Sequence, residues 1–204
     1  MENSKQMHEN KLFWINKRIF DIILCLLLLP VLFITAIILL VFNRFLNPGR
    51  LLFIQKRMGK NCKFFFAIKF RTMTHIEEIT RKYDDPIETN RITSLGSVLR
   101  RGRIDELPQI LNVLKGDMSL IGPRPDYFPH ALEYLKNIEG YRERHTIRPG
   151  ITGLSQIKLG YVDSLEGTSK KTSIDNYYIQ NVGYIIELKI IINTILVIIK
   201  GLGK

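Results

Sequence analysis

The chain has 204 residues, 46% of them hydrophobic and 24% charged, with a formal net charge of +11. So apolar a composition excludes wholesale disorder, and the length allows one domain or a domain with an appendage. Two cysteines, Cys25 in an apolar run and Cys62 in a basic one, exclude a disulfide framework and fit a reducing cytosol.

The positive charge is gathered at one end. Residues 1–71 hold 12 Lys/Arg against 3 Asp/Glu, whereas residues 72–204 hold 18 against 16. Such a bias suits phosphate-bearing partners: nucleic acid, anionic lipid or nucleotide. Behind a short tail (1–16), Ile22 to Phe42 is 21 residues without a charge, 17 of them Leu, Ile, Val or Phe. Insertion of this run into a bilayer is favoured by on the order of 5–10 kcal/mol, and as a helix it is about 31 Å long, enough to span. Two features favour a re-entrant hairpin over a span. Lys17 and Arg18 precede the run, and Arg44, Arg50, Lys56, Arg57, Lys60, Lys63, Lys69 and Arg71 follow it with no acid before Glu77, so both ends belong in the cytosol. Pro30 sits mid-run, where it removes a helical hydrogen bond and clashes with the preceding turn. A kinked spanning helix is the competing reading.

Further along, "NPGR" (47–50) is a turn, and the runs "LLFIQ" and "KFFFAIKF" on either side of "MGKN" (58–61) predict a β-hairpin. Residues 75–90 are polar and acidic (Glu77, Glu78, Asp84, Asp85, Glu88), a loop with a helical part. Ile92, Leu95 and Leu99 have helical spacing, with Gly102 at the C′ position that ends the helix. Leu107, Ile110, Leu111 and Leu114 define a second helix to about Lys115. Tyr184–Ile199 is apolar but interrupted by Glu187, Lys189, Asn193 and Thr194. It reads as a helix on the membrane surface or packed over the domain, ending at Gly201.

The chemistry centres on "GRIDELPQ" (102–109). Between Arg91 and Ile104 there are four arginines and no acid, and then Asp105 and Glu106 stand side by side where the second helix begins, with Pro108 in its first turn. In the plain structural account, Asp105 is an N-cap and Glu106 complements the helix dipole. In the chemical account, a carboxylate kept ionised by a helix N-terminus and nearby arginines can hold Mg²⁺ against a diphosphate or attack phosphorus itself. Arg124 in "GPRP" and Arg148 in "RPG" lie in proline-stiffened loops, which suits bidentate phosphate binding. Arg100, Arg101, Arg103, Lys69 and Arg71 are further candidate phosphate ligands. Lys17 and Arg18 lie where a lipid phosphate would ride, or snorkel to headgroups. Nucleic acid is not expected, because the one aromatic-basic interleave, Phe64–Phe70, adjoins the apolar run.

From Lys17 to Lys200 the chain resembles the bacterial monotopic phosphoglycosyl transferases, also called polyprenyl-phosphate sugar phosphotransferases. The resemblance rests on "KRIFDI", "KFRTM" (69–73), "LRRGRIDELPQILNVLKGDMSLIGPRP" (99–125), "RPGITGLSQI" (148–157) and "DNYYIQN" (175–181), and the length is similar to the minimal single-unit form. It implies transfer of a phosphosugar from a UDP-sugar to undecaprenyl phosphate with release of UMP, a first membrane step of surface-glycan synthesis. It also implies Asp105 as nucleophile, Glu106 beside it as metal or base partner, Mg²⁺ as cofactor bound by both, and a re-entrant helix broken at Pro30. The expected chain is therefore helix-rich α+β: a tail (1–16), a re-entrant membrane helix (17–45), a small hairpin, and a cytosolic membrane-associated catalytic domain (46–204) with interfacial amphipathic helices. Its place is the cytoplasmic face of the bacterial inner membrane, with downstream glycosyltransferases as partners. Two positions depart from the family pattern: Tyr161 stands where an arginine is expected, and "IELK" with Glu187 replaces an "LDLK"-type sequence. Outside the resemblance, a non-catalytic membrane adaptor that binds anionic lipid through its basic surface fits the same composition.

Overall fold

The structure, a computed structural model, describes residues 11–76, 85, 88–160, 162 and 164–201. Tyr161 and the Glu77, Glu78 and Asp84 part of the acidic segment lie outside the described residues. The first element, α1 (Lys11–Leu46), is a single 36-residue helix with Pro30 inside it. The helix expected over 17–45 is thus present and longer, and the break expected at Pro30 does not divide it. A proline removes one backbone hydrogen bond, a loss that helices in apolar surroundings tolerate.

α1 is long and apolar enough to cross a membrane, and only 11% of its most apolar window is buried. What is buried forms one stripe at helical spacing: Phe13, Lys17, Asp21 and Cys25, then Leu39 and Asn43, bridged by the half-buried Leu28, Leu29, Leu32 and Ala36. Cys25 packs into a core of Phe65, Ala67, Ile110, Val113 and Met118, and Leu39 packs with Phe70 and Leu99. Both arms of the helix therefore rest on the same body.

The hairpin is present as expected. β1 (Leu52–Met58) pairs antiparallel with β2 (Phe64–Phe70), with Ile54 opposite Ile68 and Met58 opposite Phe64. The tip turns through Asn61 and Cys62, both at positive φ. The first predicted helix is α2 (Ser94–Arg101), capped by Thr93, whose side chain accepts from the Gly96 amide. Gly102 does not take the left-handed C′ conformation; its φ is −86° and the next residue, Arg103, adopts φ 53° instead. A 3-10 turn (Ile104–Glu106) follows, and then α3 (Gln109–Lys115), which ends on left-handed Gly116.

Two strands too short to stand out in the sequence complete the site. β3 (Ser119–Ile121) and β4 (Gly150–Thr152) pair in parallel, Ser119 opposite Gly150 and Ile121 opposite Thr152. Between them lie α4 (Phe128–Asn137) and another 3-10 turn (Glu143–His145). α5 (Leu154–Leu159), α6 (Leu165–Gln180) and α7 (Tyr184–Ile199) follow. α7 buries Glu187 and Ile190 and leaves Tyr184, Ile185, Leu188, Ile192, Ile195 and Ile199 exposed. Its polar groups do not share one face, because Glu187 points inward while Lys189 and Asn193 are exposed. The ring of Tyr184 meets Phe13 edge-on at 5.1 Å and its hydroxyl accepts from Asn16, joining α7 to the start of α1.

The two strands approach so closely that they need glycine. A Cβ on Gly150 would lie 2.1 Å from the Gly122 nitrogen and 2.5 Å from the Thr152 oxygen, both backbone atoms with nowhere to go. Gly150→Ala should therefore cost about 3 kcal/mol of stability through forced separation of the strands. Denaturant unfolding of the detergent-solubilised protein, followed by circular dichroism, measures it.

Candidate functional site

The Asp105–Glu106 pair is not at a helix cap. It occupies the 3-10 turn before α3, and neither side chain caps the helix. Arg103 turns the chain into this segment from a left-handed conformation that costs an arginine on the order of 1–2 kcal/mol. Its guanidinium then lies 3.6 Å from Oε2 of Glu106.

Glu106 is the electrostatic centre. It is buried, and its Oε1 accepts from Lys69 Nζ on β2 at 2.6 Å and from Arg124 Nη2, on the loop after β3, at 2.5 Å. Burial alone would raise its pKa, but Arg124 and Lys69 outweigh it and hold the carboxyl well below the usual glutamate range. Lys69 is itself pushed below the ordinary lysine value by burial, against the pull of Glu106.

Asp105 is also buried, and among the described residues its carboxylate forms no ion pair within 4 Å. Burial pushes its pKa up, more than Lys69, Arg124 and Arg100 pull it down, and the charge of Glu106 adds to the rise. The arginines thus do not simply keep Asp105 ionised, as its neighbourhood in the sequence suggested; the direct cation contacts go to Glu106. The donor set suits a hard divalent cation. Among the described residues Asp105 forms no ion pair within 4 Å, Oε2 of Glu106 has no hydrogen bond, and no cluster of three or more His, Cys, Asp or Glu occurs. Two carboxylates with the remaining positions open is the arrangement Mg²⁺ uses when substrate phosphates and water complete its shell.

The other expected ligands divide. Arg100 is half-buried and acts on Asp105. Arg101 is exposed and donates to Ser97 at 3.3 Å. Arg71 is buried and donates to the carbonyls of Arg50, Met73, Asn47 and Pro48, so it fastens the turn that leaves α1 and is not brought to the pair. Arg148 is exposed and gives Nε to the Gly116 carbonyl at 2.9 Å. Arg18 donates to the carbonyls of Val113 and Leu114 at 2.8 and 3.2 Å. Both lie at the C-terminal end of α3, about 10 Å along that seven-residue helix from the acid pair. Lys17 is buried in an ion pair with Glu187 at 2.5 Å, and Glu187 also accepts from Tyr178. Expected as a lipid-phosphate ligand, Lys17 instead ties α1 to α7, and Glu187, the departure in "IELK", is its partner.

Several contributors have little signature in sequence. Asn112 on α3 accepts from the Ile68 amide at 3.0 Å and donates to the Phe66 carbonyl at 2.7 Å, closing the free edge of β2 next to Lys69. An asparagine inside an apolar i, i+3, i+4 pattern was the available sign. Asp21 accepts from Ser119 Oγ at 2.7 Å and from the Leu120 amide at 3.2 Å, fixing α1 to β3. Arg124 is anchored through its loop: Arg144 donates to the Arg124 carbonyl at 2.9 Å and Arg57 to the Pro125 carbonyl at 3.1 Å.

The two carboxylates should respond oppositely to neutralisation. Asp105 has a raised folded pKa, so it favours folding at low pH, and that contribution is lost as pH rises through the folded value. In a chelating buffer at neutral pH, Asp105→Asn should raise the unfolding midpoint. Glu106→Gln leaves Lys69 and Arg124 without their counter-ion and should cost about 3–5 kcal/mol. Thermal and denaturant unfolding of both variants checks the contrast.

Comparison with known proteins finds relatives along nearly the whole chain. The family model described as "Bacterial sugar transferase" matches residues 12–201. The chain is 36% identical, over 97% of its length, to an Aeromonas hydrophila protein named UDP-N-acetylgalactosamine-undecaprenyl-phosphate N-acetylgalactosaminephosphotransferase. It is 39% identical over 88% of its length to the UDP-glucose:undecaprenyl-phosphate glucose-1-phosphate transferase of Escherichia coli (strain K12). It is 38% identical over 88% to the exopolysaccharide production protein PSS of Rhizobium leguminosarum bv. phaseoli. The chain spans about half of the Aeromonas protein (48%) and 39% of the Escherichia coli protein, but 92% of the Rhizobium one. Matched by that family model over residues 12–201, the chain belongs to the bacterial sugar transferase family.

Proposed function

We propose that the protein transfers a sugar phosphate from a UDP-sugar to undecaprenyl phosphate, with Asp105 as the nucleophile. The observation that carries this reading is the division of labour within the acid pair: Glu106 is paired with cations from three segments, while the buried Asp105, one residue away, forms no ion pair within 4 Å among the described residues. The names of the Aeromonas and Escherichia coli relatives supply the substrate class.

In the first step an Oδ of Asp105 attacks the phosphorus that bears the sugar. The bond from that phosphorus to the bridging oxygen breaks, and UMP departs with the electron pair. In the second step an oxygen of undecaprenyl phosphate attacks the same phosphorus, and the bond to Asp105 breaks, restoring the carboxylate. Arg124, Arg103 and Lys69 are placed to accept the phosphate charge that enters beside Glu106. Asp105 and Glu106 would hold Mg²⁺, which would supply neutralisation of the donor diphosphate.

For topology, the re-entrant reading is supported by the stripe along α1. Phe13 and Lys17 at one end and Leu39 and Asn43 at the other face the same domain. A straight span would carry that domain, with its buried ion pairs, into the hydrocarbon. The exposed apolar residues of α7 adjoin the start of α1 through Tyr184, which supports an interfacial position for α7 on the same, cytoplasmic, side.

Full-length protein in nanodiscs containing undecaprenyl phosphate should release UMP from one member of a UDP-sugar panel. Asp105→Asn should lose both that release and the phosphosugar adduct seen by mass spectrometry. Undiminished turnover in Asp105→Asn would remove the nucleophile assignment, and no UMP from any donor would favour the adaptor. Single cysteines placed before Lys17 and after Arg44 should label from the same side of the membrane. Labelling from opposite sides would make α1 a span.

A further inference from the structure

The acid pair leaves one conspicuous cluster without a task. Arg144 is fully buried, as is Asp175 of the "DNYYIQN" segment on α6. Nη2 of Arg144 lies 2.7 Å from Oδ2 of Asp175, and Nη1 donates to Oδ2 of Asp126. Asp126 also accepts from Lys171 Nζ at 2.5 Å and from the Tyr141 hydroxyl at 2.7 Å. One carboxylate and one cation, Asp175 and Arg144, are thus removed from water together, with the partly exposed Asp126 and Lys171 beside them. Replacing such a network with apolar residues commonly leaves stability unchanged or improves it, so fold stability alone is a poor reason for its presence.

Its geometry offers a better one. The same guanidinium that holds Asp126 donates to the carbonyl of Arg124, two residues earlier. Pro123 and Pro125 restrict the backbone on either side of Arg124, Arg57 holds the Pro125 carbonyl, and the Met58 amide donates to the Asp126 carbonyl. The main chain under Arg124 is therefore held from the hairpin and, through Arg144, from α6. The Arg124 side chain extends from this held backbone to Glu106, with Nη2 2.5 Å from Oε1.

We propose that Arg144 and Asp175 are positioning residues: they fix the backbone of Arg124 so that its guanidinium meets Glu106 and the incoming donor phosphate at one set distance. This rests on the phosphosugar-transfer reading above. Arg144 and Asp175 act solely through Arg124, so loosening them should matter only while the Arg124 side chain is present.

A double-mutant cycle tests this. Wild type, Asp175→Asn, Arg124→Ala and the double variant are assayed as full-length chains in nanodiscs. The donors are UDP-glucose, UDP-galactose, UDP-N-acetylglucosamine and UDP-N-acetylgalactosamine, and kcat and KM for donor are read separately. Asp175→Asn should lower kcat/KM by about 10- to 100-fold, and by less than about 2-fold when Arg124 is already Ala. Equal losses in the two backgrounds, or no loss in the first, would overturn the clamp. If Asp175→Asn does not fold, Arg144→Lys takes its place in the cycle. A lysine keeps the charge but cannot bridge Arg124, Asp126 and Asp175 together, and the same non-additivity is expected. A wild type that releases no UMP sinks the transfer reading and the clamp with it. An active wild type with multiplicative losses sinks the clamp alone.

Discussion

The buried carboxylate of Glu106 is the constraint on which the site depends. A lone charge in that position would cost several kcal/mol, and its counter-ions come from three places: Lys69 on the hairpin, Arg103 on the turn and Arg124 on the loop after β3. Hairpin, turn and β3 loop must therefore converge for Glu106 to be tolerated. Their convergence assembles a cationic pocket around the neighbouring Asp105. Asp105, buried beside them, takes no share of those ion pairs, and burial pushes its pKa up. The two halves of one dipeptide thus differ: Glu106 is bound by three cations and Asp105 by none within 4 Å among the described residues.

The same logic explains how a mostly apolar helix is held to a charged domain. α1 has little burial with which to hold the domain, and its inner stripe substitutes polar contacts for area. Lys17 pairs with Glu187 on α7, Arg18 satisfies the last carbonyls of α3, and Asp21 binds the start of β3. Each contact takes up a group that would otherwise be unpaired near hydrocarbon, where such groups are costly. These polar contacts lie in the first arm, while the second adds Leu39 in the Phe70–Leu99 cluster and Asn43 against the Gly49 carbonyl.

α3 separates two arginine-bearing regions. At its N-terminal side stand the acid pair, Lys69 and Arg124. At its C-terminal end, Arg18 and Arg148 meet the carbonyls of Val113, Leu114 and Gly116, where positive charge complements the helix dipole. Asn112, midway, locks the helix to the edge of β2. The short helix is in effect a spacer, and its fixed length keeps the Arg18–Arg148 end apart from the acid pair.

Local pattern alone determined the long apolar helix, the hairpin around "MGKN", the helix at 94–101 and the abrupt switch from arginines to Asp105–Glu106. Hydropathy, turn chemistry and charge contrast are properties of neighbours in the chain. Only the tertiary structure decided which charges meet. Lys69 reaches Glu106 across 37 residues and Lys17 reaches Glu187 across 170, and no spacing rule covers such distances. Sequence therefore assigned Lys17, Arg71 and Arg148 to phosphate by residue type, while packing gave them to Glu187, to the turn after α1 and to the end of α3. The three-residue strands β3 and β4 escaped notice because so short a run carries no periodicity; close approach at Gly122 and Gly150 defines them, and that exists only once the chain has folded.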